Sequence, residues 1–107
     1  MSQLPFEIMR WESTQLPSIQ VLENLLIQEN LSPTTQTLCA NSQTPEMKFE
    51  KVAIKVLVSG KLQFAFPGYG VIELHPGDIL EINPDTLHDI YVLSSQEAIL
   101  LEAFKEA

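Results

Sequence analysis

His88 is the side chain with the clearest chemical capacity in this sequence. It follows the run Gly77-Asp78, two apolar residues and the turn Asn83-Pro84-Asp85, and it opens a β-prone segment. An imidazole can bind a metal, transfer a proton, or donate and accept hydrogen bonds inside a core. Because side chains two apart share one face of a strand, His88 lies on the same face as Ile90 and Val92. This alternation predicts that His88 points into an apolar interior.

Three interpretations of His88 compete. A metal site needs two or three companion ligands that converge on one ion, and the candidates Glu46, Glu50, His75 and Glu102 are poor ones. General acid or base catalysis needs a paired carboxylate, and no such His and Asp signature is present. The sequence favours the third interpretation, in which His88 is a hydrogen-bonded polar residue of the interior.

Short strands dominate the part of the chain that must position His88. Two apolar runs flank Ser59-Gly60, a pattern that indicates a hairpin. Several short strands with turn residues between them are typical of a β-sandwich or barrel. The predicted strands are about 51–58, 61–66, 71–74, 79–82, 88–93 and 98–104.

The N-terminal third predicts one helix. Ser18 to Glu29 carries leucines and isoleucines at three- and four-residue spacing, after the start signal Pro17-Ser18. This stripe predicts that the helix lies against the outside of the barrel or against a partner subunit. A short strand is expected within 6–11, a weaker one within 35–40, and a turn over 41–45.

Composition narrows the classes of partner. A chain of 107 residues suits one domain, and a net charge of −8 disfavours nucleic acid and anionic membrane surfaces as partners. Cys39 is the only cysteine, so a disulfide within the chain is not possible. The N-terminus has neither a basic stretch nor an apolar one, so we expect neither secretion nor membrane insertion, and a cytoplasmic location.

The order of strand, Gly60, strand, Gly77-Asp78, Pro84 and His88 resembles the small single-domain cupins. In the second motif of that family, a Gly-Asp pair opens a strand, a Pro shapes the next turn, and a metal-binding His follows. The match covers roughly residues 17–104. Two residues depart from the pattern: Asn83 at the usual Pro position and Asp85 where Gly is usual.

The first cupin motif is degenerate in this chain. The family carries two His separated by one residue and then a Glu, all before the glycine that corresponds to Gly60. A gapless count back from Gly60 puts Met47 and Phe49 at the His positions and Ala53 at the Glu position. The resemblance therefore implies that three of the four usual ligands are absent.

The resemblance implies an all-β fold: an antiparallel jelly-roll β-barrel with one N-terminal α-helix. We expect a single domain over 1–107, with an N-terminal extension and helix over 1–33 and the barrel over 34–107. The barrels of this family are often homodimers, and covering the edge strands makes a homodimer physically reasonable here.

For function, the sequence favours a small-molecule-binding or regulatory module, without a cofactor, over an enzyme. Met47 and Phe49 put a thioether and a phenyl ring where the family has two imidazoles, so the predicted cavity is metal-free and largely apolar. The alternative is a metal-dependent enzyme, an oxygenase or isomerase, that binds one divalent transition metal through His88 with Glu46 or Glu50. The predicted cavity residues are His88, Met47, Phe49, Phe64, Leu80, Ile82 and Ile90.

Overall fold

Nine antiparallel strands and one α-helix form the part of the chain that the computed structural model describes, residues 4–106. The all-β class and the single N-terminal helix are as predicted. The elements are β1 (Phe6–Met9), α1 (Ile19–Gln28), β2 (Thr34–Leu38), β3 (Gln43–Met47), β4 (Val52–Ser59), β5 (Leu62–Phe66), β6 (Gly70–Leu74), β7 (Ile79–Ile82), β8 (His88–Val92) and β9 (Ala98–Lys105).

The strands form two sheets that enclose one apolar core. One sheet has the order β1-β7-β4-β9-β2, and the other has the order β3-β8-β5-β6. Alternate residues of both sheets point inward, so Leu57 of β4 and Leu100 of β9 share a core with Phe64 of β5 and Ile90 of β8. This is the predicted jelly-roll arrangement.

The hairpin predicted around Gly60 is wrong. β4 and β5 lie in different sheets, and β5 pairs instead with β6 and β8. Gly60 has a φ of +95°, and an added Cβ would lie 2.9 Å from Ala98, so glycine is needed for the chain to cross tightly between the sheets. Because both apolar runs have an inward face, strand alternation alone does not distinguish a hairpin from such a crossing.

The turn predicted over 41–45 is also partly wrong, because β3 begins at Gln43. β3 is an edge strand, and its register with β8 shifts between Thr44 and Met47. Glu46, in this interval, has a φ of +55°. An edge strand with a bulge tolerates Pro45, which has no N–H to donate.

Helix α1 covers the outer face of the five-stranded sheet. The Ser18 side chain accepts a hydrogen bond from Val21 N at the start of the helix, and Asn30 follows its end with a φ of +62°. Leu22 and Leu26 are buried and pack against outward residues of the sheet, Ile54, Val56, Leu101 and Ala103. Within residues 4–106, no helix is long and apolar enough to span a membrane.

The Gly77-Asp78 pair anchors the segment that follows β1. Gly77 has a φ of +93°, and a Cβ there would lie 2.4–2.6 Å from Trp11 side-chain atoms. The Asp78 carboxylate accepts hydrogen bonds from Trp11 N, His75 N and Arg10, at 2.7–2.9 Å. Burial favours protonation of Asp78, but these three hydrogen bonds outweigh it, so the pKa of Asp78 lies below its usual value.

Candidate functional site

His88 lies inside the barrel at the start of β8. Its side chain has no solvent exposure, and the residue pairs with Met47 of β3. Three aromatic rings surround the imidazole, with centroids 5.8 Å (Phe66), 5.9 Å (Phe49) and 6.1 Å (Phe64) from its own. The inward orientation that strand alternation predicts is therefore the one that the structure has.

One hydrogen bond of the His88 imidazole defines its tautomer. Nδ1 lies 2.9 Å from the carbonyl oxygen of Thr86, and a carbonyl oxygen can only accept, so Nδ1 carries the proton. Nε2 is then an acceptor, and no group within residues 4–106 donates to it. An acceptor buried without a donor costs about 1–3 kcal/mol.

At pH 7 the environment of the imidazole favours its neutral form. Burial lowers the pKa of His88 below its usual value, and the positive charge of Lys55 lowers it further. The hydrogen bond to Thr86 and the charge of Asp89 act in the opposite direction and do not offset burial. His88 therefore presents a neutral lone pair rather than a cation to the interior.

The other predicted cavity residues lie in the same core as His88. Phe64, Leu80, Ile82 and Ile90 are buried there, whereas Met47 and Phe49 are half-buried and pack against it. Phe49 comes from the connection between β3 and β4, and its carbonyl oxygen accepts a 2.7 Å hydrogen bond from Asp85 N. The structure thus brings all seven predicted residues together.

The predicted alternative metal ligands do not join His88. Glu46, Glu50 and His75 are exposed, and Glu102 is bonded to other side chains. Across the described residues 4–106, no three His, Cys, Asp or Glu side chains lie close enough to hold a metal ion. Aromatic rings surround the imidazole of His88, and the described part of the chain supplies no companion donors, so these residues do not fit a metal centre.

A buried ion pair inside the barrel is the feature that sequence reasoning missed. Lys55 of β4 and Glu102 of β9 are register partners, and the Lys55 ammonium donates a hydrogen bond to Glu102 Oε2. Gln36 Nε2 donates to Glu102 Oε1 at 2.8 Å. The Lys55 Nζ also lies 4.7 Å from the ring centroid of Phe49, within the range of a cation–π contact.

This pair leaves the interior with little net charge. Lys55 is 0% exposed, and burial lowers its pKa from 10.5 to about 8 because the ammonium is desolvated. At pH 7 the side chain is still protonated, and the Glu102 carboxylate balances its charge. The signal that could have revealed the pair is strand alternation, which places Lys55 on the same inward face as Ala53 and Leu57.

Two surface clefts lie outside this core. One, of about 380 Å³, lies between α1 and the outer face of the five-stranded sheet, next to Leu25, Ile54 and Ile79. The other, of about 290 Å³, adjoins the connection between β7 and β8, which carries the Thr86 carbonyl that binds His88. The lining residues of this smaller cleft are Pro5, Pro67, Tyr69, Asp85, Thr86 and Leu87.

Comparison with known proteins identifies the fold. No protein-family model and no curated protein sequence matches the chain. A cupin 2 domain-containing protein from Halorhodospira halophila superposes with a TM-score of 0.65 at 18% identity, covering 94% of this chain and 76% of its own. This chain is a small cupin-fold domain. The resemblance to small cupins that the spacing of Gly60, Gly77-Asp78 and His88 indicated is therefore confirmed at the level of fold.

Two further structures share the fold of this cupin-fold domain. A DUF861 family protein from Thermotoga maritima has a TM-score of 0.61 at 12% identity, with 94% of this chain and 99% of that chain covered. Peruvianin-I, a cysteine peptidase from Thevetia peruviana latex, has a TM-score of 0.61 at 17% identity. The chain matches over 71% of its length and spans 50% of peruvianin-I. Likeness at these identities establishes the fold alone.

Proposed function

We propose that this cupin-fold domain binds a small molecule inside its barrel without a metal ion, as a binding or regulatory module rather than as an enzyme. The observation that carries the proposal is His88 Nε2, a neutral acceptor that is fully buried and has no donor within residues 4–106. A bound molecule that donates to Nε2 offsets the cost of about 1–3 kcal/mol for leaving this atom unpaired.

The surroundings of Nε2 favour a ligand with an apolar body. Phe49, Phe64 and Phe66 enclose the imidazole, and Leu80, Ile82 and Ile90 extend the same apolar surface. Small-molecule sites are typically lined by apolar and aromatic side chains with a few placed polar groups. His88 is such a polar group.

The donor chemistry argues against the metal-dependent oxygenase or isomerase that the sequence left open. His88 supplies one nitrogen, and its nearest ring neighbours are Phe49, Phe64 and Phe66, which cannot bind a divalent cation as ligands. The homodimer and the cytoplasmic location stay predictions.

Two measurements on the purified protein test the proposal. Elemental analysis follows incubation with iron, manganese, zinc, nickel and copper. The wild-type protein should hold no stoichiometric metal that the His88→Ala variant loses. A fragment screen by ¹H–¹⁵N NMR should find molecules whose shift changes centre on His88, Phe64 and Ile90 and weaken on His88→Phe. A stoichiometric metal that depends on His88 contradicts the proposal, as does a screen whose only hits map to the outer surface.

A further inference from the structure

We infer that the ligand is an uncharged molecule with a ring-sized apolar body and one hydroxyl or N–H group that donates to His88 Nε2. The inference rests on the proposed function and specifies the ligand class of the same site. This ligand class follows from the tautomer of His88, from the charge balance of Lys55 with Glu102, and from the proximity of Phe49 to both polar groups.

The need for a donor follows from the tautomer. The Thr86 carbonyl accepts from Nδ1 at 2.9 Å, so the single proton of the neutral imidazole is on Nδ1 and Nε2 has only a lone pair. A ligand atom that can only accept, such as an ether or carbonyl oxygen, would leave Nε2 unpaired or repel it. A hydroxyl or N–H group pairs with it.

The need for a neutral ligand follows from the buried charges. Lys55 is the buried lysine of this interior among residues 4–106, and its charge is already paired with Glu102. A carboxylate ligand would enter an apolar space in which residues 4–106 offer no free counter-charge, and a cationic ligand would approach the ammonium of Lys55 at low dielectric. An uncharged molecule meets neither penalty.

The ring-sized body follows from Phe49. Its ring centroid lies 5.9 Å from that of the His88 imidazole and 4.7 Å from Lys55 Nζ, so the ring adjoins both polar groups. Phe49 lies on a connection rather than within a strand, and it is half-buried. A ligand that displaces the Phe49 side chain would take the place of its ring beside the imidazole.

A surface cleft lies at the end of the barrel where Phe49 is bonded to the connection between β7 and β8. The main chain of Phe49 is bonded to Asp85, and Asp85, Thr86 and Leu87 line the cleft of about 290 Å³. The cleft therefore adjoins both the segment that carries Phe49 and the carbonyl that orients His88.

Three matched probes test the ligand class: phenol, anisole and benzoate. Phenol and anisole share a ring but differ in the donor, whereas benzoate carries a charge. Binding is measured by NMR titration of the wild-type protein, of Phe49→Ala, and of Phe49→Ala combined with His88→Phe. Phe49→Leu replaces Phe49→Ala if the smaller side chain prevents folding.

We expect Phe49→Ala to bind phenol at least about fivefold more tightly than anisole, the ratio that one hydrogen bond of about 1 kcal/mol supplies. The wild-type protein should show the same order with weaker binding, and His88→Phe should abolish the preference. Equal affinity for phenol and anisole overturns the donor requirement, and a preference for benzoate overturns the neutral ligand, while both leave small-molecule binding intact. Failure of all three probes to bind any of these proteins overturns the ring-sized body, and the fragment screen then decides whether the barrel binds any small molecule.

Discussion

Removing the ammonium of Lys55 should destabilise the fold strongly. Lys55 is 0% exposed and Glu102 is 7% exposed, so Lys55→Met leaves a buried carboxylate without its counter-charge. Loss of one partner of a buried ion pair costs about 3–5 kcal/mol. We expect about 3 kcal/mol, at the lower end, because Gln36 still donates to Glu102 and methionine fills most of the vacated space. Urea denaturation at pH 7 measures the change as a lower midpoint at unchanged slope.

A double variant separates charge from packing. Lys55→Met with Glu102→Leu removes both charges, and we expect it to recover most of the lost stability because no unpaired charge stays buried. The matched surface control is Lys61→Met, which breaks an exposed pair with Glu73 and should cost less than about 1 kcal/mol. A cost below about 1 kcal/mol for Lys55→Met, or a double variant no more stable than the single one, would refute the reasoning.

Three further predictions concern residues around the barrel. The pKa of His88 in the folded protein lies below the usual value of 6.5. As the pH falls below 6.5, His88 is therefore protonated in the unfolded chain before it is protonated in the folded one. The unfolding free energy should therefore fall more steeply from pH 6.5 to 5 than in His88→Phe, and parallel urea-derived curves would contradict this. Gly77→Ala should cost at least about 1 kcal/mol more than Gly68→Ala, since both have positive φ but only the Cβ at 77 meets Trp11; equal thermal shifts would contradict the contact. Asp78→Asn should destabilise by about 2 kcal/mol at pH 7, because it weakens charge-assisted hydrogen bonds, and this loss should shrink as acid protonates the wild-type carboxylate.

The local spacing of apolar residues in the sequence was enough to predict most of the helices and strands. The leucine stripe after Ser18 predicted α1, and the alternation from His88 to Val92 predicted which face of β8 is buried. Pairing between strands depends on distant contacts, so the hairpin at Gly60 was mispredicted and the start of β3 at Gln43 was missed.

The site was predictable only in part. The alternation of inward and outward side chains along β8 was enough to place His88 inside the barrel. A lysine in a strand is ordinarily expected to face solvent, so the same pattern did not reveal Lys55. The inward position of Lys55 depends on Glu102, which lies 47 residues later and pairs with it only once β4 and β9 are neighbours. The tautomer of His88 depends likewise on the carbonyl of Thr86, whose position comes from the turn between β7 and β8.

The most direct test of the account is the protonation of the two His88 nitrogens, observed by long-range ¹H–¹⁵N NMR at pH 7 before and after addition of phenol to Phe49→Ala and to the wild-type protein. We predict that Nδ1 carries the proton in the free protein, and that phenol shifts the Nε2 resonance while the Nδ1 resonance stays nearly constant. A proton on Nε2 in the free protein, or an Nε2 resonance that saturating phenol does not move in either protein, would contradict the account.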